Sequence, residues 1–164
     1  TNALDNVGLE MWVKPLAIAS GGGVGTPATD GYAFGIGLDS TTNWFVARWG
    51  MGYNLHQPAT LNQWVHLGVV YNGGVEQFYI NGVLAGSMVA VPVFTPGSFS
   101  IGALPNGAYG FNGLVDQVRL FTFAPGQFSP QDFIIGVPEP SAVMLLGVGA
   151  GLLWVRRQRQ RQSA

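Results

Sequence analysis

Cysteine is absent from this sequence and charged residues are scarce, and both absences narrow what the protein can be. Without cysteine there are no disulfides and no thiolate metal sites. Charged residues make up 9% of the 164 residues, far below the roughly 25% of an average soluble domain. Up to Val137 the chain carries three basic and seven acidic residues, so this part offers no basic face to nucleic acid.

Catalytic arrangements are missing as well. Glycosidases place two carboxylates about 5 to 9.5 Å apart across the bond that they cleave. Glu10, Glu76 and Asp116 fall in separate segments, and none of them has an acidic residue two positions further on. The sequence also lacks a serine nucleophile elbow, and two isolated histidines do not make a zinc site. We therefore predict that the protein is not an enzyme and has no catalytic residues.

Short alternating apolar segments, separated by glycine-rich turns, dominate the first 136 residues. Asn81 and Gly82 join two apolar runs, which is the pattern of a type I′ hairpin turn. Several segments are apolar on both faces, which favours two sheets packed face to face. The sequence predicts an all-β, antiparallel two-sheet sandwich of eight to ten strands over residues 1–136, with one short helical turn that Ser129 caps.

Three segments resemble the laminin-G-like, concanavalin A-like lectin/glucanase family: LEMWVKP, WVHLGVVYNGGVEQFYINGVLAG and FNGLVDQVRLFTFAPGQFSPQDF. They stand in the order of the family and cover most of residues 1–136. The resemblance implies a jelly-roll sandwich and a lectin-like role. Family members have further strands before the first segment, so we expect the domain to be truncated at its N-terminus. The matching positions are Glu10, Trp12, Val13, Trp64, His66, Tyr71, Tyr79, Asn81, Gly82, Gly113, Asp116, Val118 and Arg119.

Four polar residues of these segments carry structural expectations. We predict that Glu10 and Arg119 form an exposed cross-strand pair, by analogy with a fold whose first and last strands are neighbours. Asp116 alternates with apolar residues, which predicts a buried hydrogen-bond acceptor, the alternative being a ligand or calcium contact. We interpret His66 as a core histidine, with a ligand role as the alternative.

An aromatic segment, NWFVARWGMGYNLHQ, holds the best candidates for carbohydrate contacts. Aromatic faces stack on sugar rings, and polar neighbours bind the hydroxyl groups. By alternation one set of its residues lies between the sheets and the other can line a groove, while a purely structural role stays open. The candidate glycan contacts are Trp44, Arg48, Trp49 and Tyr53.

Calcium is the one cofactor that the resemblance suggests, because members of the family often hold a calcium ion at a loop rim. Oxygen ligands suit calcium, and the candidates are Asp30 in the glycine-rich loop and Asp39 after the YAFGIGL segment. The alternative for each aspartate is a structural role in a turn, in which its side chain forms hydrogen bonds with the neighbouring backbone.

Residues 137–164 differ from the rest of the chain. The apolar run Ala142–Val155 covers about 21 Å as a helix, shorter than a bilayer core of about 30 Å. We predict a helix from Ser141 to Arg159 that does not pack into the sandwich. Its membrane-facing residues are Ala142, Val143, Leu145, Leu146, Leu152, Leu153 and Val155, and the basic residues that stop transfer at the cytoplasmic side are Arg156, Arg157, Arg159 and Arg161.

The order of Pro138, Glu139 and Pro140, a short apolar helix and an arginine-rich end resembles the PEP-CTERM sorting signal. The resemblance implies export across the inner membrane of a Gram-negative-type bacterium, removal of the tail by an exosortase, and delivery to the cell surface or exopolysaccharide matrix. The alternative is an ordinary single-span anchor. Two functions therefore remain open: a lectin-like module that binds a glycan, or a structural matrix or adhesion protein with no defined sugar ligand.

Overall fold

The computed structural model describes residues 6–18, 25–30, 34–48, 51–89, 99–104 and 106–135. Strands make up most of these residues, and one 3-10 turn, Pro130–Asp132, follows them. The strands are β1 (Asn6–Pro15), β2 (Gly25–Asp30), β3 (Phe34–Leu38), β4 (Asn43–Arg48), β5 (Met51–Pro58), β6 (Val65–Asn72), β7 (Val75–Ile80), β8 (Val83–Val89), β9 (Phe99–Ile101) and β10 (Gly113–Thr122).

The strands form two five-stranded antiparallel sheets. The order is β10-β1-β6-β7-β8 in the first sheet and β5-β4-β3-β2-β9 in the second. The first and last strands of the domain, β1 and β10, are neighbours. The predicted all-β sandwich and the side-by-side placement of these two strands are therefore confirmed.

One apolar core lies between the two sheets. The alternation of side chains along each strand decides which residues belong to this core, because residues two apart on a strand lie on the same face. Leu9, Met11 and Val13 contribute the inner face of β1, as their spacing predicts, and they are at most 1% exposed. The other buried members are Val7, Leu67, Val69, Tyr71 and Phe78 from the first sheet and Ile36, Leu38, Trp44 and Val46 from the second.

The hairpin between β7 and β8 follows from local sequence alone. Asn81 and Gly82 have φ angles of 51° and 76°, as a type I′ turn requires. Asn81 is further held by β6, because its amide Oδ1 accepts the N–H of His66 at 3.0 Å and its own N–H donates to the His66 carbonyl at 2.8 Å. The predicted turn is confirmed, and it is fixed to a neighbouring strand.

A bulge in β10 changes the predicted position of Asp116. The register between β1 and β10 shifts between Glu10 and Trp12, and Gln117 has a φ of 50°. Val115 and Val118 therefore both pack toward the core, which simple alternation does not allow. Asp116 is exposed and its Oδ1 accepts the N–H of Gln117 at 2.8 Å, so the prediction that it is buried is wrong.

An aromatic layer covers the outer face of the first sheet. Residues 123–135, here called the C-terminal segment, lie across this face. Phe133 is 5% exposed and contacts the rings of Tyr79, Phe121 and Phe128 edge-on, with centroids 5.1 to 6.3 Å apart. Burial in this layer raises the pKa of Tyr79. The 3-10 turn Pro130–Asp132 precedes Phe133. Ser129 stands at its N-cap position, as predicted, although its hydroxyl makes no capping hydrogen bond; Asp132 instead accepts the Ser129 N–H at 2.8 Å.

The predicted tail helix, residues 141–159, lies outside the described residues and stays a prediction. The described part of the chain contains no helix that is long and apolar enough to cross a membrane.

The outer layer leaves no room for a side chain at Gly68. A Cβ built there would lie 2.6 Å from the Phe133 ring. We expect Gly68→Ala to displace this ring and to lower the free energy of unfolding by about 1–3 kcal/mol, as overpacking does. Urea denaturation, followed by far-UV circular dichroism, measures the loss.

Gly110→Ala is the matched control, because a Cβ at Gly110 meets nothing within 4 Å. We expect it to change stability by less than about 0.5 kcal/mol. Equal stability of the two variants would contradict the packing of Phe133 against β6.

Candidate functional site

A buried ionic cluster lies under the C-terminal segment. It consists of Glu10 on β1, His66 on β6 and Arg119 on β10, and is called the Glu10 cluster below. These three strands are adjacent in the first sheet, and Glu10 is opposite Arg119 in the register. The predicted cross-strand pair is confirmed. Its predicted exposure is wrong for Glu10, which is 1% exposed because the C-terminal segment covers it.

Both carboxylate oxygens of Glu10 are occupied by protein donors. Oε1 accepts the Arg119 Nε–H, while Oε2 accepts the backbone N–H of Ile134 at 2.9 Å and lies 2.9 Å from His66 Nε2. Burial alone raises the pKa of Glu10, but the hydrogen bonds from His66 and Ile134 and the charge of Arg119 outweigh it. The net pKa is therefore below the ordinary value of 4.5.

The Glu10 cluster connects the sheet to the C-terminal segment. Arg119 donates from Nη2 to the carbonyl of Asp132 at 2.6 Å, and its guanidinium lies 4.3 Å from the centroid of the Phe121 ring. His66 is 1% exposed and contacts the rings of Trp12 and Phe133 edge-on, so its interpretation as a core histidine is confirmed. With both oxygens engaged, Glu10 positions residues 132–134 and does not face solvent as an acid or a base.

An open cleft at one end of the sandwich is the second feature. It lies where β5 and β7 end and where β4 and β6 begin, and its volume is about 170 Å³. Trp64 is half-buried at its wall, and the polar side chains that line it are exposed. The lining residues are Trp44, Pro58, Thr60, Gln63, Trp64, Val65, Ile80 and Asn81.

Both sheets hold the loop that forms one wall of this cleft. Residues 59–64 cross from β5 in the second sheet to β6 in the first. The N–H of Ala59 donates to the Thr42 carbonyl at 2.8 Å, and the N–H of Asn62 donates to the Pro15 carbonyl at 2.7 Å. Asn62 adopts a φ of 62°, which an asparagine tolerates better than most residues. The loop is therefore tied at both ends, and Gln63 and Trp64 have a fixed backbone.

Of the four predicted glycan contacts, Trp44 lies at the cleft. It is 1% exposed and belongs to the core, so its ring face is covered and cannot stack on a sugar. Arg48 pairs with Met51 at the opposite end of β4, and Tyr53 follows on β5. The side chains of Arg48 and Tyr53, and the whole of Trp49, lie outside the described residues, so their roles stay predictions.

Sequence analysis did not assign Thr60, Gln63 or Asn81 to a binding site. Trp64 and Asn81 matched the family pattern, but no binding role was predicted for them. The available signal was an aromatic residue and two amides near strand ends, although no local pattern predicts that the ends of β5 and β7 meet the start of β6.

The two predicted calcium ligands are not brought together. Asp30 pairs with Phe34 at one end of the β2–β3 ladder, whereas Asp39 follows Leu38, which pairs with Gly25 at the other end. Asp39 Oδ1 accepts hydrogen bonds from the N–H and hydroxyl of Thr41 and from the N–H of Asn43, at 2.7 to 2.8 Å. Asp39 therefore organises the turn before β4. Within the described ranges no three acidic or histidine side chains form a group that could hold a metal ion.

Two family models match the chain. The model of the concanavalin A-like lectin/glucanases superfamily matches residues 2–127, and that of the PEP-CTERM protein-sorting motif matches residues 136–158. A comparison with curated proteins gives no match.

Solved structures share the fold. The chain is 19% identical to a candidate carbohydrate binding protein from Bacteroides ovatus, with a TM-score of 0.67, over 84% of this chain and 43% of the other. It is also 25% identical to domain 4 of an extracellular GH43 arabinanase from Geobacillus stearothermophilus, which was solved with arabinotriose. This match has a TM-score of 0.57 and covers 77% of this chain and 64% of the other. The chain is 18% identical to Trypanosoma rangeli sialidase, with a TM-score of 0.56, over 71% of this chain and 20% of the sialidase. The chain thus spans less than two thirds of each of these structures.

The Glu10 cluster makes the free energy of unfolding depend on pH. We expect Glu10→Gln to lower the free energy of unfolding at pH 7 by about 1.5–3 kcal/mol, because it removes the buried charge to which Arg119, His66 and the Ile134 N–H are bonded. The carboxylate has a lower pKa in the folded than in the unfolded protein, so its contribution is lost as the pH falls below 4.5 and through the folded pKa. The difference between wild type and variant should therefore shrink with acid, as urea titrations between pH 7 and pH 3 measure.

Asp116→Asn serves as the control, because this exposed carboxylate accepts a hydrogen bond from the adjacent Gln117 N–H. We expect a change of less than about 1 kcal/mol at pH 7. A Glu10→Gln variant with wild-type stability at pH 7, or a difference that grows toward pH 3, would contradict the role given to Glu10.

Proposed function

The chain belongs to the concanavalin A-like lectin/glucanases superfamily, and from this we propose that it is an exported, non-catalytic, lectin-like module that binds carbohydrate. It acts at the cell surface or in the exopolysaccharide matrix. The domain covers residues 1–136, and residues 137–164 are the sorting signal. Calcium at Asp30 or Asp39 is not needed for this proposal.

The end cleft is the observation that carries this function. It combines an aromatic wall, Trp64, with the neutral polar side chains of Thr60, Gln63 and Asn81. Sugars present hydroxyl groups beside patches of C–H bonds, so this pairing suits them. The arabinanase domain that was solved with arabinotriose, at 25% identity, adds support.

The acidic residues support a non-catalytic role. Glycoside hydrolysis needs a carboxylic acid beside the leaving oxygen and a second carboxylate across the bond. No carboxylate lines the cleft, and both oxygens of Glu10 are engaged by protein groups under the C-terminal segment. A sugar in this cleft therefore meets hydrogen-bonding groups but no acid or base.

The matched sorting motif, residues 136–158, supports the route to the surface. We infer that the apolar run inserts briefly into the inner membrane of a Gram-negative-type bacterium. The four arginines resist crossing, so they hold Pro138, Glu139 and Pro140 at the outer side of the membrane for an exosortase. Snorkelling arginines and a locally thinner bilayer compensate for the short run.

Glycan binding is the first test. The full-length protein in mild detergent, presented to an array of plant, bacterial and host oligosaccharides that includes arabinotriose, should bind a subset of them. The same protein unfolded in urea is the control for adhesion that does not need the fold. Binding to none of the oligosaccharides, by a folded protein, would leave the structural matrix or adhesion role in place of the lectin-like one.

Processing is the second test. Surface-released protein from the native host should lack Arg156, Arg157, Arg159 and Arg161, as mass spectrometry of its C-terminal peptide reveals. Glu139→Ala should keep the precursor in the inner-membrane fraction, whereas Gln162→Ala, outside the matched motif, should be processed normally. Recovery of an intact C-terminus at Ala164 from both variants would leave only the plain-anchor interpretation.

A further inference from the structure

The side chains around the end cleft share one property: none of them is ionisable. Two are tryptophans, one is a proline, two are aliphatic, and the three polar ones are a hydroxyl and two amides. Asp39 on the second sheet has its carboxylate engaged in the turn before β4. None of the lining residues therefore offers a ligand a cation or an anion.

The hydrogen-bonding direction of Asn81 is set by its own contacts. Its Oδ1 accepts the backbone N–H of His66, so the amide presents its NH₂ group as the remaining donor. Thr60 can donate or accept, and Gln63 carries both a carbonyl and an NH₂ group. These groups match the hydroxyl groups of a sugar, each of which also donates and accepts.

The size of the cleft limits the ligand to one ring. Its volume of about 170 Å³ is below the range of roughly 300–1,000 Å³ of sites for drug-sized molecules. Trp44 closes the floor, since it is buried in the core between the sheets. The end of a glycan chain, or a side branch, presents a single ring that can enter a cleft of this size.

We propose that this cleft binds a single neutral sugar ring, at the end or on a side branch of a glycan, without calcium. This inference rests on the proposed function and adds the class of ligand. Trp64 packs on the C–H face of the ring, and Gln63, Thr60 and the NH₂ group of Asn81 bind its hydroxyls.

Selection against acidic sugars follows from the lining. A carboxylate moved from water into the cleft gains no cationic partner there, so the lost hydration is not compensated. Calcium could otherwise bridge sugar and protein, but it needs several protein oxygens, usually including carboxylates, and the lining has none of the latter.

Matched immobilised oligosaccharides test this assignment. One set ends in glucose, galactose or mannose, and the other ends in the corresponding uronic acids, so that each pair differs only at C6. The full-length protein should bind at least one neutral member about tenfold more tightly than its acidic partner. A calcium chelator should leave this binding unchanged.

Variants then connect the binding to the cleft. Trp64→Ala should weaken it about tenfold, Trp64→Phe less, and Gln63→Ala severalfold. Gln127→Ala, at an exposed glutamine of the C-terminal segment outside the cleft lining, should bind as the wild type does. Gln63 is exposed, so its variant tests the cleft even where the loss of Trp64 affects folding.

The possible outcomes distinguish a failure of the cleft assignment from a failure of the proposed carbohydrate-binding function. Equal binding of neutral and acidic members, loss of binding with the chelator, or wild-type binding by both the Trp64→Ala and Gln63→Ala variants would overturn the cleft assignment, while glycan binding itself would stand. A folded wild-type protein that binds none of the oligosaccharides would overturn the proposed function.

Discussion

The burial of one carboxylate constrains much of this structure. Glu10 is in the middle of a sheet, on its outer face, where a charge is stable only if donors surround it. Those donors come from three places: β6, β10 and the backbone of the C-terminal segment. Strand order, the bend of β10 and the path of residues 132–134 must all be correct for the carboxylate to be satisfied.

The outer aromatic layer and the Glu10 cluster support each other. The rings of Phe133 and Trp12 keep water from His66, which makes the hydrogen bond to Glu10 electrostatically stronger than it would be in water. In return, the contacts of Glu10 and Arg119 with the backbone of Asp132 and Ile134 hold Phe133 in place. Strands β1 and β6 of the first sheet are therefore buried on both faces, by the core on one side and by this layer on the other.

Local patterns in the sequence predicted the fold better than they predicted the site. The alternation in β1 and the Asn81-Gly82 turn each depend on a few neighbouring residues, and both are confirmed. Asp116 was misjudged because a bulge inserts a residue and breaks the alternation, and no local pattern in LVDQVRL marks it. Apolar residues on both faces of the strands were assigned to the contact between two sheets, although part of them meet the C-terminal segment. The cleft could not be predicted in this way, because its lining residues are spread between positions 44 and 81 and come together only when the strand ends meet in the folded sheets.

The position of the Glu10 cluster bears on the processing proposed above, in which the chain loses its end. Among the described residues, Ile134 makes the cluster's backbone contact nearest the C-terminus, and the side chain of the next residue, Ile135, lies against the hairpin at Gly82. The matched sorting motif begins at residue 136. A peptide bond broken anywhere beyond Ile135 leaves these contacts within one continuous polypeptide. The folded body thus keeps its own closing segment, and the new C-terminus emerges from an anchored point.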